Sequence, residues 1–128
     1  MTSHTLYLGD VEIFFHHCKD RNTFSIDISA NSGDCFVEAD FGEMTSINAE
    51  YNARALEKVI CGESTHENFY TTIYIGSSIN AHHEGKTTLH LSAPNDVDAH
   101  LNLTQDQAYN LLSILQIITT TLKKGDQK

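Results

Sequence analysis

From Thr23 to Ala30 the chain reads TFSIDISA, with an apolar side chain at nearly every second position. Only an extended strand turns such a series into one apolar and one polar face, because successive side chains leave a strand on opposite sides. Related patterning runs through TLYLG (5–9), VEIFFHHC (11–18) and CFVEADF (35–41). Turn-forming residues separate these stretches: Gly9-Asp10, Lys19-Asp20-Arg21-Asn22 and Asn31-Ser32-Gly33-Asp34. Connections this short predict antiparallel hairpins.

From Ser46 or Asn48 the period lengthens to that of a helix. Ile47, Tyr51, Ala55, Val59 and Ile60 are expected on its buried side, Glu50 is placed to pair with Arg54 four residues on, and Gly62 supplies a C-terminal stop. The second half then repeats the order. NFYTTIYIG (68–76), TTLHLSA (87–93) and DAHLNL (98–103) read as strands, with SSINAHHEGK (77–86) and PNDV (94–97) as connections. Thr104 and Gln107 form a capping-box signal for a long helix that buries Ala108, Leu111, Leu112, Leu115 and Leu122.

FSIDISANSGDCFVEADF and TTLHLSAPNDVDAHLNL match as strand, turn and strand, and each leads to a Tyr-Asn pair early in a helix. The distance from the shared Ser-Ala pair to Tyr-Asn differs by five residues, so an internal duplication requires an insertion, expected around GEMTS (42–46). In each helix the Tyr is expected to reach back over the preceding hairpin, with the Asn exposed or capping locally. The resulting expectation is an α+β domain spanning residues 1–128. It has one antiparallel sheet of six to seven strands with two helices packed on one face, repeat halves 1–62 and 63–124, and a flexible tail at 125–128.

Register assigns the faces. Phe24, Ile26, Ile28, Val37, Ala39 and Phe41 are expected to face the helices, as are Leu89, Leu91, Ala93, Ala99, Leu101 and Leu103 in the second copy. The opposite face then carries Ser25, Asp27, Ser29, Glu38 and Asp40 in the first copy, and His90, Ser92, His100 and Asn102 in the second. The copies are alike inside and differ outside.

That difference coincides with a lopsided charge distribution. The net charge is −9, and residues 1–62 hold ten acids against four bases. Between Arg21 and Arg54 there is no Lys or Arg at all, while Asp27, Asp34, Glu38, Asp40, Glu43 and Glu50 accumulate. Such a chain is a poor direct ligand for nucleic acid, whose phosphates are bound through Lys and Arg, and a good one for a basic protein surface. Asp27, Asp34, Glu38, Asp40 and Glu43 are the expected partner-binding residues.

Cys18, Cys35 and Cys61 are odd in number and lack C-x-x-C spacing, which fits free thiols in a reducing, cytoplasmic setting. No apolar run approaches the roughly 18 residues of a membrane span, and no basic-plus-apolar leader is evident.

Eight histidines raise the question of a metal. His16 and His17 are adjacent on a strand and point to opposite faces. His90 and His100, set roughly diagonally on one hairpin, with Asp98 as a third ligand, are the nearest candidates, and there is no H-E-x-x-H or Cys-pair framework. EGKTT (84–88) imitates the end of a phosphate-binding loop but leads into a strand, without the first glycine or the following helix. No catalytic motif is present and no cofactor is implied. The last helix is apolar over much of its circumference, through Ile114, Ile117 and Ile118 as well as its inward stripe, and this predicts a homodimer through that helix.

Together these features point to a small, acidic, non-enzymatic inhibitor that occupies a Lys/Arg-lined surface. A toxin-neutralising immunity protein and a phage-encoded inhibitor of a nucleic-acid-handling defence complex both fit. The competing expectation is a ligand-binding, metal-binding or enzymatic α+β protein using His90, His100 and the 77–86 loop.

Overall fold

The alternating segments of the first half form four strands: β1 (Ser3–Leu8), β2 (Val11–Cys18), β3 (Thr23–Ser32) and β4 (Cys35–Met44). The helix α1 (Ser46–Ile60) follows. The second half repeats this order with β5 (His66–Asn68), β6 (Ser78–Ala81), β7 (Thr87–Ala93), β8 (Val97–Leu103) and α2 (Gln105–Asp126). The computed structural model describes residues 3–32, 35–73, 76–81, 85–94 and 97–126. Of the tail expected at 125–128, residues 125 and 126 close α2, and 127–128 lie outside the described residues.

The strands make two antiparallel four-stranded sheets, ordered β1-β2-β3-β4 and β5-β6-β7-β8, in place of the expected single sheet of six to seven strands. One reason lies at the edge of β4. The Thr72 N–H donates to the Glu43 carbonyl (2.7 Å) and the Glu43 N–H donates to the Thr72 hydroxyl (3.2 Å), so a non-strand segment occupies part of that edge. The sequence pattern predicts a strand here, over 68–76. Asn68 does close strand β5, but through residues 69–73 the backbone groups are paired piecemeal: Phe69 N–H with the Ser77 carbonyl, Tyr70 with Asn52, and Ile73 with the Thr71 hydroxyl; residues 74–75 lie outside the described residues. The strand β6 lies inside the predicted connection, 77–86.

The two ββββα modules match in register. Phe24 pairs with Met44 as Thr87 pairs with Leu103, and Ala30 pairs with Val37 as Ala93 pairs with Val97. Directly after each of these last strands comes a capping threonine. Thr45 accepts from the Asn48 N–H while the Asn48 side chain accepts from the Thr45 N–H. Thr104 and Gln107 repeat the same exchange. Behind the caps, Ala49, Asn52, Ala53, Leu56 and Val59 are buried at the same offsets as Ala108, Leu111, Leu112, Leu115 and Ile118.

This register relocates the length difference. Beyond the Ala30–Val37 pair the β3–β4 hairpin carries three residues more than β7–β8 carries beyond Ala93–Val97, because its ladder runs on through Asn31–Phe36 and Ser32–Cys35, and β4 carries one more residue in a bulge between its Glu43 and Asp40 pairings. The remaining residue is the Tyr-Asn pair itself, which sits one position later after its cap in α1 than in α2. One position on a helix is a rotation of about 100°. Asn52 is therefore fully buried while Asn110 is exposed, the reverse for Asn52 of its expected surface position. Tyr51 stands edge-on to Tyr70, with ring centroids 4.7 Å apart.

The same rotation corrects the α1 stripe. Ile47 is 77% exposed and Tyr51 is exposed, whereas Ala55 and Val59 are buried as expected and Ile60 packs against the core; Ala49, Asn52, Ala53 and Leu56 complete the buried face. Glu50 does pair with Arg54, at 2.9 Å.

The helices lie against each other and cross over to the partner module: α1 packs on β5 and β6, and α2 packs on β1. The apolar residues of both modules thus make one core, including Phe15, Phe24, Ile26 and Phe41 from the first and Ile79, Leu89, Leu91 and Leu103 from the second. Ile118 belongs to this core with no exposed area and Ile114 packs against it. Ile118 is thereby excluded from the expected dimer seam, because the contacts of α2 with α1, β1 and β8 demand a broad apolar sector. Ile117 is exposed. Val37, expected to face inward, is exposed near the hairpin tip. Among the described residues no helix is long and apolar enough to cross a membrane.

Candidate functional site

The outward rows of the two sheets occupy equivalent places and carry different chemistry. In the first module Asp27 pairs directly with Asp40, and Ser29 pairs with Glu38. In the second, His90 pairs directly with His100, and Ser92 pairs with Asp98. The Ser-carboxylate row is common to both, and the row beside it is an acid pair in one and an imidazole pair in the other. Direct opposition thus replaces the expected diagonal arrangement of His90 and His100.

On the acidic row Asp27 is half-buried, between Phe14 of β2 on one side and Asp40 on the other. Burial, then the nearby Asp40 and Glu38 carboxylates, push the Asp27 carboxyl above the usual aspartate range, and His16 offsets this in part. Asp40 and Glu38 are exposed. Glu12 belongs to the same face, opposite Ser29 on β2, and sequence reasoning misses it because its place depends on the β2–β3 register.

Glu43 is not a free member of this group. Its carboxylate accepts from the Thr23 hydroxyl and from Arg21 Nε (2.9 Å), and these bonds, the Thr23 one foremost, hold it below the usual glutamate range. Asp34 lies outside the described residues, as does the His82-His83-Glu84 run.

On the histidine row the rings of His90 and His100 are stacked, 4.2 Å between centroids and 5° from parallel. Asp98 Oδ1 lies 3.3 Å from His90 Nε2 and accepts a 2.7 Å hydrogen bond from the Ser92 hydroxyl. That hydroxyl, with smaller contributions from His90 and His100, keeps Asp98 below the usual aspartate range. Ser92 Oγ is also 3.3 Å from His90 Nε2. Ser and Asp therefore meet the same ring nitrogen, whereas a nucleophilic relay needs them on opposite nitrogens. Among the described residues no three His, Cys, Asp or Glu groups are placed to hold a metal ion as they stand.

His17 and His16 divide as the strand period requires. His17 turns inward and stacks on Phe24 at 4.9 Å, and His16 faces the acidic row. Cys18 and Cys61 are free thiols, the latter exposed. Comparison with known protein families, with curated proteins and with solved structures found no match.

Proposed function

We propose that the protein is a small acidic binding protein, without enzymatic activity, whose Asp27, Glu38 and Asp40 face engages a Lys/Arg-lined surface of a partner macromolecule. The observation that carries this reading is the direct opposition of Asp27 and Asp40. Like charges facing each other across strands destabilise a sheet. The second module has other residues at those positions of the same scaffold. A basic partner would neutralise the pair, and the attraction would accelerate association and weaken with salt. An inhibitor that takes the place of phosphate at a nucleic-acid-handling or toxin surface is the biological role this chemistry suits best. A reducing, cytoplasmic setting accords with the free thiols of Cys18 and Cys61.

The test is binding to an immobilised arginine-rich peptide across a salt series. The triple variant Asp27→Asn, Glu38→Gln, Asp40→Asn is compared with a charge-matched control, Glu57→Gln, Glu63→Gln, Asp106→Asn, whose three acids are exposed elsewhere. Loss of binding in the first and retention in the second supports the face as the site. Equal weakening in both assigns the attraction to net charge and removes the proposal.

A further inference from the structure

The stacked imidazoles of His90 and His100 have no role in the acidic-face reading, and their surroundings resemble the beginnings of a coordination shell. The two rings come from facing positions of β7 and β8, and Asp98 stands two residues before His100, on the same face of the strand. Two imidazoles and a carboxylate are a common donor set for borderline transition metals, with water completing the shell. The carboxylate is also held from behind. Ser92, only 7% exposed, donates to Asp98 Oδ1, while its own N–H is fixed by the Ser77 hydroxyl at 3.0 Å. Such outer contacts orient ligands in metal sites.

We propose that His90, His100 and Asp98 form a binding site for a divalent transition metal of the zinc type. In the stacked arrangement the in-plane lone pairs run side by side instead of converging. Closing the shell requires one ring to turn, and His100, exposed on the edge strand β8, is the one able to do so. The ion would replace the contact between Asp98 and His90 and leave the Ser92 bond in place. The first module has Asp27, Asp40 and Glu38 at the three matching positions, so imidazole donors distinguish the second module alone. The selectivity expected is for zinc over calcium, because calcium prefers an all-oxygen shell.

The experiment is a Zn2+ titration of the full chain at pH 7.4, followed by NMR of the histidine ring protons, with Ca2+ as comparator. The expected result is that His90 and His100 signals move together, saturate at one Zn2+ per chain and ignore Ca2+. His100→Asn should weaken this site by about tenfold or more, and Asp98→Asn should weaken it as well. Movement of other histidines while His90 and His100 stay fixed would overturn the proposal. So would equal response to Ca2+, or unchanged affinity in His100→Asn. The wild-type ring signals decide between these outcomes even where a variant folds poorly.

Discussion

Asp27 lies directly across the β3–β4 ladder from Asp40, with Phe14 as its neighbour on the other side. A carboxylate held between an aromatic ring and a second carboxylate is disfavoured in its charged form, and this has a measurable sign. The native value is raised above that of the unfolded chain. Its stabilising contribution is thus fully present below the ordinary aspartate value of 3.8 and is lost as pH rises through the raised native value. Asp27→Asn should therefore increase stability at pH 7 by about 0.5–1 kcal/mol, with the gain shrinking towards pH 4. Urea titrations of both proteins at pH 4 and pH 7 measure it, and a destabilised variant at pH 7 would contradict the electrostatic account.

Asn52 occupies the position of Leu111 in the other module, yet Leu is not expected to substitute for it. Its side chain accepts from the Tyr70 N–H and donates to the Tyr70 carbonyl, both at 2.8 Å. Asn52→Leu would leave both main-chain groups without these partners and should cost about 1–3 kcal/mol in denaturant unfolding. Increased protease cleavage near residues 69–73 should accompany it.

Gly42, in the β4 bulge, has a φ of +92°, and a Cβ there would meet Ile73 Cδ1 at 2.9 Å. Gly42→Ala should destabilise by about 1–2 kcal/mol from the backbone alone. Adding Ile73→Ala removes the close contact. A thermal-melt comparison of the single and double variants should recover less than the whole loss, because the left-handed conformation remains.

The apolar circumference of α2 divides between Ile118, wholly buried, and Ile117, 46% exposed. Ile118→Ala should cost about 2–5 kcal/mol through the cavity it leaves. Ile117→Ala should stay within about 0.5 kcal/mol. Chemical denaturation of the two variants at one protein concentration decides the assignment.

Strands β1 to β4, β7 and β8 and both helices are legible because their periodic runs are long and their turns carry clear chemistry. The stretch 69–73 is not. Its residues are strand-like in type, and only the distant partners Asn52 and Glu43 determine that they pair as a loop. Ile47 and Tyr51 are misassigned to the buried side of α1 because its core side is built from three alanines and an asparagine, which carry little hydrophobic signal, alongside Leu56 and Val59. The outward placement of Asp27, Glu38, Asp40, His90 and His100 followed from alternation alone. Their direct pairings did not, since these depend on hairpin-tip length and on a bulge.

The crossing of α1 onto β5 and β6, and of α2 onto β1, gives the chain the geometry of a domain-swapped dimer tied into one polypeptide. Each helix also touches the last strand of its own module, but its contacts with the other half would be lost if the two were separated. A chain cut in the Gly62–Thr65 connection should then yield fragments that are unfolded apart and regain structure only when mixed, with a transition that depends on the concentration of both. In the intact chain the Gly62–Thr65 tether keeps the local concentration of the exchanged helix high, so the swap closes within one molecule.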